Sequence, residues 1–104
     1  MAIDLCKTEG TTGECVFTPV CLAHQYKELW QPAIAELNLP MLACLPGLDV
    51  TLQFKDQFLS EVATLRSWAV TSDDERMRRM VASLDEVRSI VAATDLSTDS
   101  ISFG

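Results

Sequence analysis

The sequence predicts a mostly helical α+β domain, with three to four helices and a small antiparallel sheet that pairs the N- and C-terminal strands. Three observations lead there. Two long segments carry apolar residues at helical spacing, Phe54 to Ala69 and Met77 to Val91. Short alternating segments lie at both ends, around Ile3 and Leu5 and around Ile101 and Phe103. A chain of 104 residues with 48% hydrophobic content is the size of one domain, spanning residues 1–104, and is long enough to bury one core.

The first element is a short strand, Ala2 to Cys6, in which Ile3 and Leu5 flank Asp4. Lys7 to Glu14 is polar and carries Gly10 and Gly13, which marks a loop or hairpin turn. Cys15 to Phe17 reads as a second short strand, ended before Pro19. From Val20 the pattern becomes helical, because Leu22, Tyr26, Leu29 and Trp30 fall on one face. Pro32 kinks or ends that helix and fits the first turn of a following one, Pro32 to Leu37. Leu39 to Gly47 is an apolar connection held by Pro40 and Pro46, and is expected to pack into the core.

Val50 to Phe54 alternates as a strand would. Phe54, Phe58, Val62, Leu65 and Ala69 continue the segment at helical spacing, so a helix from about Thr51 to Ala69 is preferred, capped by Thr51 or Asp49. The last helix is capped by Ser72 or Asp73, with acidic residues at its positive end. It carries an apolar stripe from Met77 to Val91 and ends near Thr94. Asp74 with Arg78, and Glu75 with Arg79, are spaced for ion pairs along it. Trp30 and Trp68 fall in apolar registers as core anchors. A polar linker around Asp95 and Asp99 leads to the final strand.

Composition narrows the function. Eight Lys and Arg against 15 Asp and Glu give a net charge of -7. Nucleic acid binders draw most of their affinity from cations on phosphates. The one cationic cluster here, Arg76, Arg78 and Arg79, is preceded by Asp73, Asp74 and Glu75. Neither nucleic acid nor an anionic membrane is an expected partner; a basic protein is. The N-terminus lacks the basic start and apolar stretch of a signal peptide. A cytoplasmic location is therefore expected, with Cys6, Cys15, Cys21 and Cys44 as thiols or metal ligands rather than disulfides.

One constellation carries candidate chemistry. Cys6, Cys15, Cys21 and His24 form C-x8-C-x5-C-x2-H. This resembles the three-cysteine, one-histidine zinc finger that reads single-stranded RNA, whose last spacer is one residue longer. The resemblance covers residues 6–24 and implies a structural zinc held by those four side chains. The residues between them carry almost no net positive charge, so RNA reading is not carried over. The bland alternative is that Cys6 and Cys21 are small core residues. Cys21 and His24, three positions apart on a helix, also define a small thiol enzyme as a remoter alternative.

The chain has no G-x-S-x-G elbow, P-loop or dinucleotide glycine motif. The leading expectation is therefore a non-enzymatic protein-binding or inhibitor domain without a cofactor, of the kind a bacterial immunity protein represents. It would act through exposed acids outside the apolar stripes, namely Glu9, Glu14, Glu28 and Glu36. Self-association through the Met77 to Val91 stripe would make it a homo-oligomer.

Overall fold

Alternating apolar positions in four short segments build one sheet, and the computed structural model describes residues 2–104. The strands are β1 (Ala2–Thr8), β2 (Cys15–Leu22), β3 (Leu48–Val50) and β4 (Ser100–Phe103). They lie in the order β2-β1-β4-β3, every neighbouring pair antiparallel. The terminal strands pair at the centre, Leu5 opposite Phe103 and Lys7 opposite Ile101. Ile3, Leu5, Val20, Leu48, Val50, Ile101 and Phe103 turn to one side and are buried.

The structure moves several boundaries, beginning with β1, which runs past Cys6 to Thr8. Pro19 does not end β2, which runs on to Leu22. β2 is an edge strand, where the N–H that proline lacks would face solvent and pair with nothing. A register shift opposite Ile3 and Asp4 leaves Val20 unpaired. This bulge turns both Val20 and Cys21 toward the helices. The alternating segment after Gly47 divides in two. Leu48 to Val50 is a strand on β4, a 3-10 turn follows at Leu52–Phe54, and α3 begins only at Lys55.

The helical layer starts later than the pattern suggests. α1 (Ala23–Gln25), a π-turn (Tyr26–Trp30) and α2 (Gln31–Leu37) run end to end, leaving Leu22 exposed on the strand before them. The Gln25 side chain accepts from the Leu22 N–H at 3.0 Å and closes the first turn. Pro32 sits in the first turn of α2, as expected. The wider π-turn, in which Gln31 N–H reaches Tyr26 O, absorbs the register change and buries both Tyr26 and Trp30. α2 stops at Asn38, whose φ of 56° is tolerated by an asparagine. Leu39 N–H then returns to Ile34 O at 3.1 Å.

α3 (Lys55–Ala69) and α4 (Glu75–Ala93) pack side by side. Phe58, Val62, Leu65 and Ala69 of α3 are buried, as are Met80, Leu84, Val87 and Val91 of α4. The Met77 to Val91 stripe is thus largely covered inside the chain itself, with Met77, Val81 and Ile90 packed at its margin. The cap of α4 is Asp74, whose carboxylate accepts from Arg76 N–H at 2.9 Å. With Asp74 turned into the cap, the ion pairs become Asp74 with Arg76 at 2.9 Å and Glu75 with Arg78 at 3.6 Å, not the two pairs spaced four apart.

Two long-range polar contacts fasten the layer. Glu61 of α3 is only 6% exposed. One of its oxygens accepts from Met41 N–H at 2.9 Å and Leu42 N–H at 3.1 Å, and the other from the Gln57 amide at 3.1 Å. It thereby caps the 3-10 turn Leu42–Cys44, and the flanking Leu39, Met41, Leu42 and Leu45 join the core. Lys55 donates to Ala92 O and Thr94 O, at 3.3 and 2.8 Å, satisfying the carboxyl end of α4.

Candidate interaction face

Because the helices cover one side of the sheet, the alternate residues of each strand form an open second side. In β1 these are Asp4, Cys6 and Thr8; in β2 they are Cys15, Phe17 and Pro19. Asp49 comes from β3, and Ser100 and Ser102 from β4. Each is half-buried or exposed, whereas Leu5 and Ile101 on the helix side are sealed. Phe17 lies directly opposite Cys6 and is 66% exposed, the greatest exposure among the large apolar residues. With Pro19 and the paired Cys6 and Cys15 beside it, the ring belongs to a small apolar cluster on a face otherwise made of Asp, Thr and Ser.

Cys6 and Cys15 form a disulfide on this face, with Cα atoms 6.3 Å apart. This corrects the expectation of four reduced cysteines. The pairing follows from register: Cys6 faces Phe17 and Thr8 faces Cys15, so the two cysteines are diagonal neighbours on one side of a hairpin. Beyond them, Glu9 N–H bonds Glu14 O and Gly13 N–H bonds Glu9 O, both at 2.8 Å, to close the turn. Gly10 N–H donates to Asp99 Oδ1 at 3.1 Å, and a Cβ on Gly10 would stand 1.8 Å from Thr98 O. Only glycine lets the hairpin tip lie that close to the turn before β4.

The four proposed zinc ligands do not converge. Cys6 and Cys15 hold each other, while the β2 bulge turns Cys21 to the helix side, beside Gln25, Leu29, Trp30 and Met80. His24 is exposed on α1. Among the described residues, no group of three His, Cys, Asp or Glu is placed to hold a metal ion. The thiol reading also loses its activating element, since burial pushes the Cys21 thiol up to about 11. Cys44 is an exposed thiol whose Sγ lies 3.4 Å from Pro40 O.

The four candidate acids are all exposed, but they do not make one patch. Glu9 and Glu14 share the hairpin tip, next to the turn that follows the end of α4. Glu28 lies near Arg76 at the start of α4, where it adds slightly to the effect of Asp74 in raising the Arg76 pKa. The 19 residues of α4 separate those two ends by about 28 Å. Glu36 is on α2.

The cations, by contrast, are sorted by layer. Of the 8 Lys and Arg, Lys7 is the single one on a strand, and it points to the helix side, beside Val16, Ser89 and Ile90. The other seven belong to the π-turn, α3 and α4. The open face therefore presents Asp4 and Asp49 with no cation beside them among the described residues. Asp4, not among the four acids singled out from the sequence, was legible from its place between Ile3 and Leu5. Asp49 and Phe17 were not, because their side of the sheet depends on pairings with β4 and β1. None of the described helices is long and apolar enough to cross a membrane. Comparison with protein-family models, with curated proteins and with solved structures finds no match to this chain.

Proposed function

We propose that the chain is a non-enzymatic protein-binding domain, and that it uses the open face of its sheet to engage a basic protein partner. The observation that carries this reading is the lack of cations on the open face among the described residues: an exposed aromatic ring and two carboxylates lie there, while seven of the 8 Lys and Arg lie in the helical layer. Electrostatic complementarity of this kind speeds encounter and selects partners by sign. It suits an inhibitor of a cationic enzyme, as an immunity protein is, with Phe17 supplying an apolar anchor that acids alone lack. On this reading, Glu9 and Glu14 extend the acidic rim at the hairpin tip, while Glu28 and Glu36 stand apart from it. On this reading the domain acts without a cofactor.

Titration of the 15N-labelled chain with cytochrome c, a folded cationic protein, tests the reading. Amide shifts are expected to gather on the four strands and to fade with added salt. The double reversal Asp4→Lys with Asp49→Lys should abolish them, and reversal of Glu28 and Glu36 should leave them in place. Shifts centred on α3 and α4, or none, would overturn the assignment. The cytoplasmic setting expected from the sequence stands against the Cys6–Cys15 disulfide, since disulfides persist in oxidising compartments. A reduced Cys6–Cys15 pair in protein trapped with an alkylating agent in its host supports that setting, and an oxidised pair argues against it.

A further inference from the structure

The arrangement of the open face also points to the chemistry of the partner segment it would take, an inference that rests on the function just proposed. Phe17, Cys6, Ser102 and Asp49 are directly opposed across four neighbouring strands and form one row. Strands lie about 4.8 Å apart, so the phenyl ring and the Asp49 carboxylate are separated by about 14 Å. Between them are a disulfide sulfur and a hydroxymethyl group, both short, so the row has a low floor with a taller group at each end. Asp4 lies on the same side, diagonal to Phe17 and about 7–8 Å away. A single guanidinium laid on the ring is thus within reach of that carboxylate.

We infer that this row takes an extended, arginine-bearing segment of the partner crossing the strands, with one arginine over Phe17 and Asp4 and a second cation four residues on at Asp49. The spacing decides the number. An extended chain rises about 3.4 Å per residue and returns to the same side every second residue, so positions i and i+4 span about 14 Å on one side. Positions i and i+3 point to opposite sides. Arginine is favoured over lysine at the Phe17 end because a planar, weakly hydrated guanidinium stacks on an aromatic ring while keeping its edge donors for a carboxylate. Addition of a partner strand along the exposed edge of β2 is disfavoured, since Pro19 removes a donor from the middle of that edge. The face is therefore preferred to that edge as the place to receive the segment.

Two acetylated, amidated peptides of equal charge test this, Arg-Gly-Thr-Gly-Arg and Gly-Arg-Gly-Thr-Arg, titrated into the labelled chain at low salt. The first places its cations four apart and the second three apart. The first should bind about threefold or more tighter, with shifts at Cys6, Phe17 and Ser102. Asp49→Asn should erase that difference. Phe17→Leu, which keeps an exposed apolar side chain and leaves the core untouched, should erase the preference for arginine over lysine in the first position. Equal binding of the two spacings, or a spacing preference that survives Asp49→Asn, would overturn the inference. If the peptides fail in that way while cytochrome c still shifts the sheet face, the segment geometry is wrong and the proposed function stands. If cytochrome c also leaves the face unmoved, the functional reading itself has failed.

Discussion

Glu61 lies in the apolar register of α3, one position before Val62, in a place where a carboxylate has to find donors or be expelled. It finds three, two of them backbone amides from the connection between α2 and β3. Replacing it with alanine strands Met41 N–H and Leu42 N–H in the interior, where each unpaired donor costs about 1–3 kcal/mol. Glu61→Ala should therefore lower the urea unfolding free energy by about 2–4 kcal/mol. Glu61→Gln keeps one carbonyl oxygen for the two amides and should lose much less. Equal losses in the two variants would show that the carboxylate is not the cap. The two free thiols separate in the same way by environment. Cys44 is exposed and should react with Ellman's reagent in the folded protein at pH 8. Cys21, half-buried with its thiol pushed up to about 11, should react far more slowly than Cys44 until the chain unfolds. Rapid labelling of Cys21 in the folded state, with a rate dependent on His24, would revive the thiol-enzyme alternative.

At the scale of elements, the β1–β2 hairpin carries both the disulfide and the exposed ring, and forms one edge of the sheet. An edge hairpin packs on one neighbour only, so a covalent tie across its turn matters more than it would between central strands. Closing a loop of this length is worth about 2–3 kcal/mol through the entropy it removes from the unfolded chain. The double variant Cys6→Ala with Cys15→Ala should show that loss in chemical denaturation. Wild-type protein treated with a dithiol reductant should match it. Hydrogen exchange should rise in β2 and the hairpin tip while α3 and α4 stay protected. Uniform loss of protection would mean that the hairpin is not a separate unit. The helical elements show the complementary case: Asp74 caps α4 through the Arg76 N–H and pairs with the Arg76 guanidinium rather than with Arg78, and Glu75 pairs with Arg78 rather than with Arg79.

Across the whole molecule, a net charge of -7 makes acid the informative perturbation. The carboxyl of Asp74 is held below its usual range by hydrogen bonds from the Arg76 side chain and backbone, and that of Asp95 by those from Ser97. A carboxyl depressed in the folded state contributes stability that is complete above about pH 4, near its unfolded value, and is lost as pH falls through the lower folded value. The midpoint of thermal unfolding should therefore be steady from pH 7 to about 4 and fall below it. The pair Asp74→Ala and Asp95→Ala should start lower and fall less steeply. An acid limb as steep as that of the wild type would assign the loss to other carboxyls.

The sequence by itself determined the class of fold, the two long helices, the strands at either end and their meeting in one antiparallel sheet. Each is written in local periodicity: Phe58, Val62 and Leu65 recur at helical spacing, and Ile3 and Leu5, like Ile101 and Phe103, at strand spacing. Burying apolar side chains on one face imposes those periods wherever the segment ends up. The placement of Trp30 in the core and the close of α4 near Thr94 were legible for the same reason. Tertiary structure alone decided the rest. Whether Leu48 to Val50 is a strand depends on the open edge of β4, a partner half the chain away. Whether Cys6 bonds Cys15 depends on hairpin register, which the spacing of eight intervening residues leaves open. The side of the sheet on which Phe17 and Asp49 emerge depends on those same pairings, because shifting a strand by one residue turns every side chain to the opposite face. The interaction face is a product of register, and register belongs to pairs of strands rather than to any one of them.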